Sequence, residues 1–330
     1  MKNPFYLFCI CVSVIFSCKK EDALLLVDYT SNYTEPINNP QGNLVPNCTT
    51  PQIDFVHLDE YVYSRPIFNP TNPNEIAYLR RPFGSNECSD EIWTFNFKTG
   101  RTNRVTNKRV CKMDWNILNW IVFVSDEDDV WKVKPSGSEL ERIVSDGVFS
   151  NLIKCNSEGD QFLVTGTSFV SFGTEKIIAD LEGNRLQTIS ILEFEFFSEL
   201  DWRKNLIVFP FSNEIRKYDL IQDTTIRIEI MENENFNDFN NVQFFNDDEV
   251  IFLLEKSLHK LNLVTQIETL IKQNGDNDWF IHFDISIDKK TMLVQKQDFV
   301  KMDNCTIQVR NYLALMDIDG SNERRILIPE

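Results

Sequence analysis

Histidine is scarce in this chain of 330 residues, which contains only His57, His259 and His282. The sequence also lacks the H-E-x-x-H, G-x-S-x-G and P-loop motifs that bring metal ligands, nucleophiles or phosphate-binding amides together. His259 and His282 lie inside apolar stretches, which predicts structural positions on strands. We therefore expect a protein that is not an enzyme and that carries no cofactor.

Clusters of basic residues are absent as well. No group of five or more Lys and Arg residues occurs, and 50 acidic residues against 33 basic ones give a net charge of −17. A nucleic acid would meet electrostatic repulsion from such a chain instead of releasing counterions on binding. The composition thus excludes a nucleic-acid partner and is typical of a solvated, soluble surface.

The N-terminal apolar run, residues 4–16, is too short to span a bilayer and has the length of a signal-peptide core. It leads into residues 14–18 (VIFSC), which resemble a bacterial lipobox, with a small residue before the cleavage site and then the cysteine that takes the lipid. Residues 1–17 are predicted to be a lipoprotein signal peptide, and Cys18 the lipidated first residue. The alternative is a plain secretory peptide with an incidental cysteine.

The residues that follow Cys18 bear on location. Lys19, in place of an aspartate, looks like outer-membrane sorting in Gram-negative cells, and the charged run 19–22 (KKED) resembles the tether of surface-exposed Bacteroidetes lipoproteins. Residues 30–52 are rich in Asn, Thr and Pro, and the segment 18–52 is predicted to be a flexible, lipid-anchored linker. We expect an outer-membrane lipoprotein that contacts the membrane through its lipid only, on the periplasmic or the cell-surface face.

Glycine and proline are few, at 11 and 12 residues, whereas phenylalanine contributes 26, and aromatic residues favour strands. Beyond residue 60 the apolar runs are short and show no helical period, so the chain is predicted to be nearly all β. One strand-turn-strand unit recurs six times. Each copy opens with a large residue before a turn and an apolar strand, and these openers are Phe68, Trp115, Cys155, Trp202, Phe245 and Ile285.

A second hairpin completes each unit, and its turn often contains glycine. Gly100 and Gly137 are 37 residues apart, Gly183 follows after 46, and the 137 residues to Gly320 make three steps of similar length. This period matches the four-stranded blades of propellers. A four-stranded sheet has two faces to bury and covers both only by stacking on neighbouring sheets around a ring.

The repeat resembles that of the six-bladed TolB-like propellers, in which an aromatic residue precedes Ser-Pro-Asp-Gly and a later hairpin ends in Asp-x-x-Gly. Residues 155–159 (CNSEG) and 285–288 (ISID) keep the first spacing, and residues 180–183 (DLEG) and 317–320 (DIDG) keep the second. The resemblance implies an all-β fold, a six-bladed β-propeller of four-stranded antiparallel blades over residues 53–330.

Of the eight cysteines, Cys9 and Cys11 are removed with the signal peptide and Cys18 is acylated. Cys155 occupies an opener position, which predicts a buried free thiol. The remaining four allow three disulfide pairings in an oxidising compartment: Cys48, Cys88, Cys111 and Cys305. We favour Cys88 with Cys111, because Cys88 lies in a polar loop of the first blade and Cys111 at the start of the second. Zinc is not expected, because no C-x-x-C motif occurs.

Three aspartates each stand one residue before an opener: Asp114, Asp201 and Asp284. Equivalent positions in a ring would converge at one end of the tunnel and hold a cation or a basic peptide. The alternative is that the aspartates are paired within the protein. Arg65 and Arg203 lie close to openers in the sequence and are then expected to neutralise the aspartates. Trp279 follows a polar turn, which is consistent with a sugar-stacking residue at a tunnel mouth or with core packing.

These features together predict a cell-envelope lipoprotein whose propeller is a non-catalytic scaffold that binds an envelope protein or peptide. Two alternatives stay open. One is a surface lipoprotein that binds a glycan, another small molecule or a cation. The other is a metal-dependent propeller enzyme, which would need carboxylates converging on one ion.

Overall fold

The computed structural model describes residues 34–36, 54–57, 59–86, 88–145, 149–168, 173–189, 199–211, 214–230, 239–273, 275, 278–301 and 306–329. These residues form strands and turns, and in this part of the chain no helix is long and apolar enough to cross a membrane. Cys18, Cys48 and Cys305 lie outside the described residues.

Six four-stranded antiparallel sheets follow one another along the chain. Blade 1 contains β3 (Tyr61–Asn69), β4 (Asn72–Pro82), β5 (Glu91–Asn96) and β6 (Arg101–Arg104). Blade 2 contains β7 (Val110–Trp115), β8 (Ile121–Ser125), β9 (Val130–Val133) and β10 (Glu141–Val144). Blade 3 contains β11 (Phe149–Cys155), β12 (Gln161–Ser168), β13 (Gly173–Asp180) and β14 (Arg185–Thr188).

Blade 4 contains β15 (Asp201–Arg203), β16 (Leu206–Phe211), β17 (Glu214–Asp219) and β18 (Thr224–Glu229). Blade 5 contains β19 (Phe239–Phe244), β20 (Glu249–Leu254), β21 (Ser257–Asn262) and β22 (Glu268–Lys272). Blade 6 contains β23 (Asp278–Ile285), β24 (Thr291–Lys301), β25 (Thr306–Asp317) and β26 (Arg324–Ile326). The predicted all-β, six-bladed propeller of four-stranded antiparallel blades is confirmed.

The first strand of each blade is the innermost, because the first strands of neighbouring blades contact one another around the whole ring. The ring closes where β23 and β24 of blade 6 pack against β3 of blade 1. Blade 6 takes two short strands from the N-terminal end of the chain, which then continues into blade 1. Closure therefore depends on this N-terminal segment together with side-chain packing and individual hydrogen bonds, although no shared sheet joins blades 6 and 1.

Two short N-terminal strands extend blade 6. β1 (Thr34–Pro36) pairs antiparallel with β26, and β2 (Asp54–His57) pairs parallel with the first residues of β25. The structure places residues 34–36, which lie within the segment predicted as a linker, beside the exposed edge of β26, whose backbone groups pair with them. It also shows that the residues near 54, whose role the sequence leaves open, add to the last blade.

The hydrophobic core consists of six clusters, and each cluster combines residues of two neighbouring blades. Between blades 2 and 3, for example, Val122 and Val130 pack with Phe162 and Ile177. This arrangement explains why the second and third strands read as continuous apolar runs, since both of their faces are buried. Cys155 belongs to the same cluster and is a buried free thiol.

The register of blade 5 corrects one opener. Phe244 pairs with Val250 as Trp115 pairs with Ile121, so Phe244, and not Phe245, occupies the opener position. Phe245 is the next residue, and its N–H donates to the Glu249 carbonyl across the turn. Two adjacent phenylalanines make the two alignments equally plausible in sequence, and the strand pairing decides between them.

The repeated glycine of the second hairpin has a packing role. In blade 3 the Gly183 turn touches the backbone of Ile143, in the outer strand of blade 2. In blade 2 a Cβ added at Gly137 would lie 2.8 Å from the carbonyl oxygen of Val105, which follows the outer strand of blade 1. Such an approach leaves no room for a side chain, so glycine here sets the spacing of the blades.

We predict that Gly183→Ala destabilises the protein by about 2 to 4 kcal/mol, because its φ of +84° disfavours a side chain and its Cβ would clash with the Ile143 carbonyl. Gly84→Ala is the matched control, since its φ is +81° but nothing lies within 4 Å of the added Cβ. It should cost about 1 kcal/mol from the backbone alone. Equal losses for the two variants in urea unfolding would contradict a role in blade spacing.

Candidate functional site

Six equivalent inner-strand positions, each one residue before an opener, surround the tunnel. The residues there, from blade 1 to blade 6, are Ile67, Asp114, Lys154, Asp201, Gln243 and Asp284. The three aspartates therefore stand in alternate blades, as the sequence predicts. We call these six residues the upper ring.

Each aspartate of the upper ring accepts a hydrogen bond from the backbone of the next blade. The N–H of Cys155 donates to Asp114 Oδ2 at 2.7 Å. The N–H of Phe244 donates to Asp201 Oδ2 at 2.8 Å, and that of Phe68 donates to Asp284 Oδ2 at 2.7 Å. The donors are the openers of blades 3, 5 and 1, so each carboxylate joins two blades and satisfies a backbone donor in the core.

Gln243 joins blades 5 and 6 in a similar way. Its Oε1 accepts the N–H of Ile285 at 3.3 Å, and its Nε2 donates to the Phe283 carbonyl at 2.9 Å. Sequence reasoning missed this residue because the opener of blade 5 was placed one position too late. With Phe244 as the opener, Gln243 aligns with the aspartates.

Lys154 provides the cation of the upper ring. Its Nζ lies 3.5 Å from Asp114 Oδ1 and 3.4 Å from Asp201 Oδ1. Burial alone would lower the pKa of this ammonium group, but the neighbouring carboxylates, including Asp284, raise it above its ordinary value. Lys154 is therefore charged at any physiological pH, and it occupies the place where the sequence analysis put a bound cation.

The two predicted neutralising arginines lie elsewhere. Arg203 pairs with Asp247, with Nε 2.9 Å from Oδ1, and Arg65 pairs with Glu199. The expectation that they neutralise the aspartates is corrected, because neither guanidinium forms an ion pair with Asp114, Asp201 or Asp284 among the described residues. Sequence reasoning missed Lys154 because Cys155, the opener that follows it, is the least typical of the six. In addition, lysine is opposite in charge to the aspartates at the equivalent positions.

Asp284 differs from the other two aspartates. Its single hydrogen bond within the described part of the chain is the one from Phe68, and it forms no ion pair there within 4 Å. Burial raises its pKa to about 6, an effect that Lys154 and the Phe68 N–H oppose. Its second carboxylate oxygen is thus the one most available to a ligand.

A second ring lies two residues earlier on each inner strand, as the two-residue period of a strand requires. It consists of Arg65, Lys112, Leu152, Glu199, Asn241 and His282, all of which line the same narrow part of the tunnel. We call these residues the lower ring. That period was the signal in the sequence from which Glu199 and Asn241 could have been found.

Glu199 joins Arg65 and His282 in the lower ring. Its Oε1 pairs with Arg65, and its Oε2 lies 2.5 Å from His282 Nε2. Burial and the nearby Arg65 lower the pKa of His282 to about 3, so the ring is neutral. Its one proton is then on Nε2, facing Glu199, and Nδ1 is a hydrogen-bond acceptor.

Three spaces that share wall residues lie along the tunnel. The aspartate mouth, about 340 Å³, lies above the upper ring, and a central chamber of about 40 Å³ lies between the two rings. A third space of about 220 Å³ lies beyond the lower ring, where its wall includes the disulfide between Cys88 and Cys111. This disulfide is the pairing that the sequence analysis favours.

The wall of the aspartate mouth combines charge with apolar surface. Asp114, Lys154, Asp201 and Asp284 lie at its base. Higher on the wall are Ile117 and Ile287, which are 43% and 51% exposed. Isoleucines exposed at the entrance of a charged cavity offer an apolar contact surface to a ligand.

Trp279 lies at the opposite end of β23 from Asp284. Its ring packs edge-on against Phe299, with centroids 4.3 Å apart, and Lys256 Nζ stands 3.1 Å from the ring centroid. Trp279 is not in the walls of the three tunnel spaces. The structure therefore does not bring it together with the aspartates.

Metal-type ligands are not gathered in the described residues, where no group of three or more His, Cys, Asp and Glu side chains could hold an ion. In the upper ring the reason is visible, because the Lys154 ammonium lies beside two of the three carboxylates. Its positive charge opposes a divalent cation at that position.

We predict that Lys154→Met lowers the free energy of unfolding at pH 7 by about 2 to 4 kcal/mol, because it leaves Asp114 and Asp201 without their cation. Lys204→Met is the matched control. Its Nζ lies 3.0 Å from Asp247 on the exposed surface, and its loss should cost less than about 1 kcal/mol. Urea unfolding of both variants checks the difference, and a small effect at Lys154 would contradict the central role of this residue.

Asp284 should leave a signature in the pH dependence of stability. Its folded pKa of about 6 exceeds the ordinary 3.8, so between these values the folded state holds a proton that the unfolded state has lost. The contribution of Asp284 to stability therefore falls as pH rises from 4 to 6. Asp284→Asn should gain stability relative to the wild type over this interval, as measured by unfolding at pH 4, 5, 6 and 7. Parallel curves would show that Asp284 has an ordinary pKa.

Solved structures of several kinds share this fold. TolB from Acinetobacter baumannii matches with a TM-score of 0.58 and 14% identity, over 77% of this chain and 63% of that one. An acylaminoacyl peptidase from Pyrococcus horikoshii matches with a TM-score of 0.54 and 12% identity, over 81% and 52%. An oligogalacturonate lyase in complex with manganese matches with a TM-score of 0.51 and 10% identity, over 81% and 77%.

No protein-family model and no curated protein matches the chain. This chain spans less than two thirds of the length of the TolB and of the peptidase that it matches. Identities of 10% to 14% establish a common fold and leave function open, since that fold carries a peptidase in one case and a lyase in another. The chain has the six-bladed fold of the TolB-like β-propellers.

Proposed function

We propose that this protein is a lipid-anchored, non-catalytic propeller of the cell envelope that binds a protein or peptide segment at the aspartate mouth. The observation that carries the proposal is the mouth itself, an open cavity of about 340 Å³ with exposed isoleucines on its wall and charged groups at its base. Its volume lies within the range of ligand sites in proteins, roughly 300 to 1,000 Å³.

The bonding of the tunnel residues supports a non-catalytic role. Asp114 and Asp201 each accept a backbone N–H and lie beside Lys154. Glu199 is shared between Arg65 and His282. A general acid or base must change its protonation state during a reaction, whereas these groups hold blades or charges in place. Such a tunnel is suited to a rigid binding platform.

An extended segment suits the shape of the mouth. The mouth lies on the ring axis, so residues of all six blades contribute to its wall, and a ligand there can contact several of them at once. Ile117 in blade 2 and Ile287 in blade 6 would contact apolar side chains of the segment. The polar base would fix its orientation.

The alternatives have less support. A glycan would need an open aromatic face, but Lys256 stands over the ring of Trp279 and Phe299 packs against it. A divalent cation held by Asp114 and Asp201, for binding or for catalysis, would lie next to the Lys154 ammonium. For these reasons we retain protein or peptide binding as the function that the geometry favours.

The envelope location rests on the N-terminal sequence. Cys18 follows a lipobox-like run, and an acylated cysteine would hold the propeller at the outer membrane, on its periplasmic or cell-surface face. A tethered binding module meets partners in the same membrane at a raised effective concentration. Anchoring and binding are therefore parts of one function in this proposal.

We predict that the chain incorporates a palmitate analogue in cells and that Cys18→Ala abolishes the label and releases the protein from membranes.

We also predict that a photo-crosslinking residue at Ile287 captures a protein or peptide in native cells. The same residue at Ile221, which is 80% exposed on a distant turn of blade 4, is the control. Capture should be reduced on the Cys18→Ala background. Equal capture from both positions, or none from Ile287, would contradict binding at the mouth.

A further inference from the structure

The upper ring holds more negative than positive charge at the aspartate mouth. Three carboxylates, those of Asp114, Asp201 and Asp284, surround one ammonium group, that of Lys154. The remaining charged residue of the mouth, Arg203, lies outside the base and shares Asp247 with Lys204. The base of the cavity thus carries two more negative charges than positive ones, a field that attracts a cationic group.

The arrangement already shows how an ammonium group binds here. The Lys154 ammonium lies within 3.5 Å of two carboxylates, each of which keeps one oxygen for a backbone N–H of the next blade. Asp284 presents the same arrangement, with Oδ2 on the Phe68 N–H, but no cationic side chain among the described residues pairs with it. Lys154 acts on Asp284 from a longer distance, whereas it lies within 4 Å of the other two carboxylates.

A second observation points to the same kind of ligand. Asn241 is 2% exposed, and its Oδ1 has no hydrogen-bond partner among the described residues, nor has His282 Nδ1. Both residues line the central chamber, whose charged wall residues are Asp114, Glu199, Asp284, Arg65, Lys112 and Lys154. These two atoms are acceptors, and a buried acceptor without a donor is costly. A donor group that reached these atoms from the chamber would satisfy them.

A lysine or arginine side chain fits both observations, because its nitrogens donate hydrogen bonds and accept none. We propose that a basic side chain of the bound segment enters the aspartate mouth and is held by Asp284, with apolar neighbours of that side chain resting on Ile117 and Ile287. Asp284 is then a specificity-determining residue for a cationic side chain. This inference rests on the proposed function, since it names what the bound segment must contain.

The specificity has a physical basis on the protein side. An acidic side chain would be repelled by the surplus carboxylates, and an apolar one would leave Asp284 desolvated without a partner. Isoleucines on the wall alone would accept any apolar segment. The combination therefore selects a basic residue flanked by apolar ones.

The test is a selection from a random dodecapeptide display library on the full-length chain in detergent micelles. Enriched peptides should contain Lys or Arg next to apolar residues. A synthetic copy of the strongest binder should lose at least tenfold in affinity when its lysine is replaced by the uncharged norleucine, or its arginine by citrulline. This comparison uses the wild-type protein and does not depend on the folding of any variant.

Protein variants then test whether the basic side chain of the peptide contacts Asp284. Asp284→Asn keeps a carbonyl oxygen for the Phe68 N–H and should weaken the peptide at least tenfold, whereas Asp319→Asn, in an exposed turn of blade 6, should bind as the wild type does. Peptides enriched without a basic residue, or a norleucine or citrulline copy that binds equally well, would overturn the inference and leave the proposed function standing. No enriched peptide at all would overturn both.

Discussion

The structure depends on side chains that accept backbone hydrogen bonds across the gaps between blades. Asp114, Asp201, Gln243 and Asp284 each take the N–H of the next opener, which would otherwise be buried without a partner. The bond from Phe68 to Asp284 contributes to closure, because blades 6 and 1 share no sheet and are joined by side chains and by the N-terminal segment that pairs with blade 6. The same carboxylates supply the charge of the aspartate mouth, so ring closure and ligand recognition rest on one set of residues.

Two further features follow from this geometry. Carboxylates brought together on the ring axis repel one another, and Lys154 offsets that repulsion from a position equivalent to theirs. At the periphery, glycine turns such as that of Gly183 let each hairpin lie against the outer strand of the preceding blade. Inner acceptors and outer glycines thus fix the blade spacing at both ends, while six apolar clusters fill the space between.

The sequence was most informative where one residue type recurs. The openers and hairpin glycines predicted the number of blades, and the aspartates before Trp115, Trp202 and Ile285 predicted one shared end of the tunnel. It was least informative where equivalent positions hold unlike residues. Lys154 and Gln243 do not resemble aspartate, so their place in the upper ring was invisible until strand register had been established.

By itself the sequence determined the class of fold, the six-fold repeat and the alternation of carboxylates, because these depend on local pattern and on the need of each sheet to bury two faces. The tertiary structure alone decided which cation meets those carboxylates, which residues of the lower ring pair, and which carboxylate faces the cavity. Such contacts join residues of different blades, 40 to 216 positions apart in the chain. Pairing of charges at that separation depends on where closure of the propeller ring places the side chains, and it cannot be predicted from the local sequence pattern.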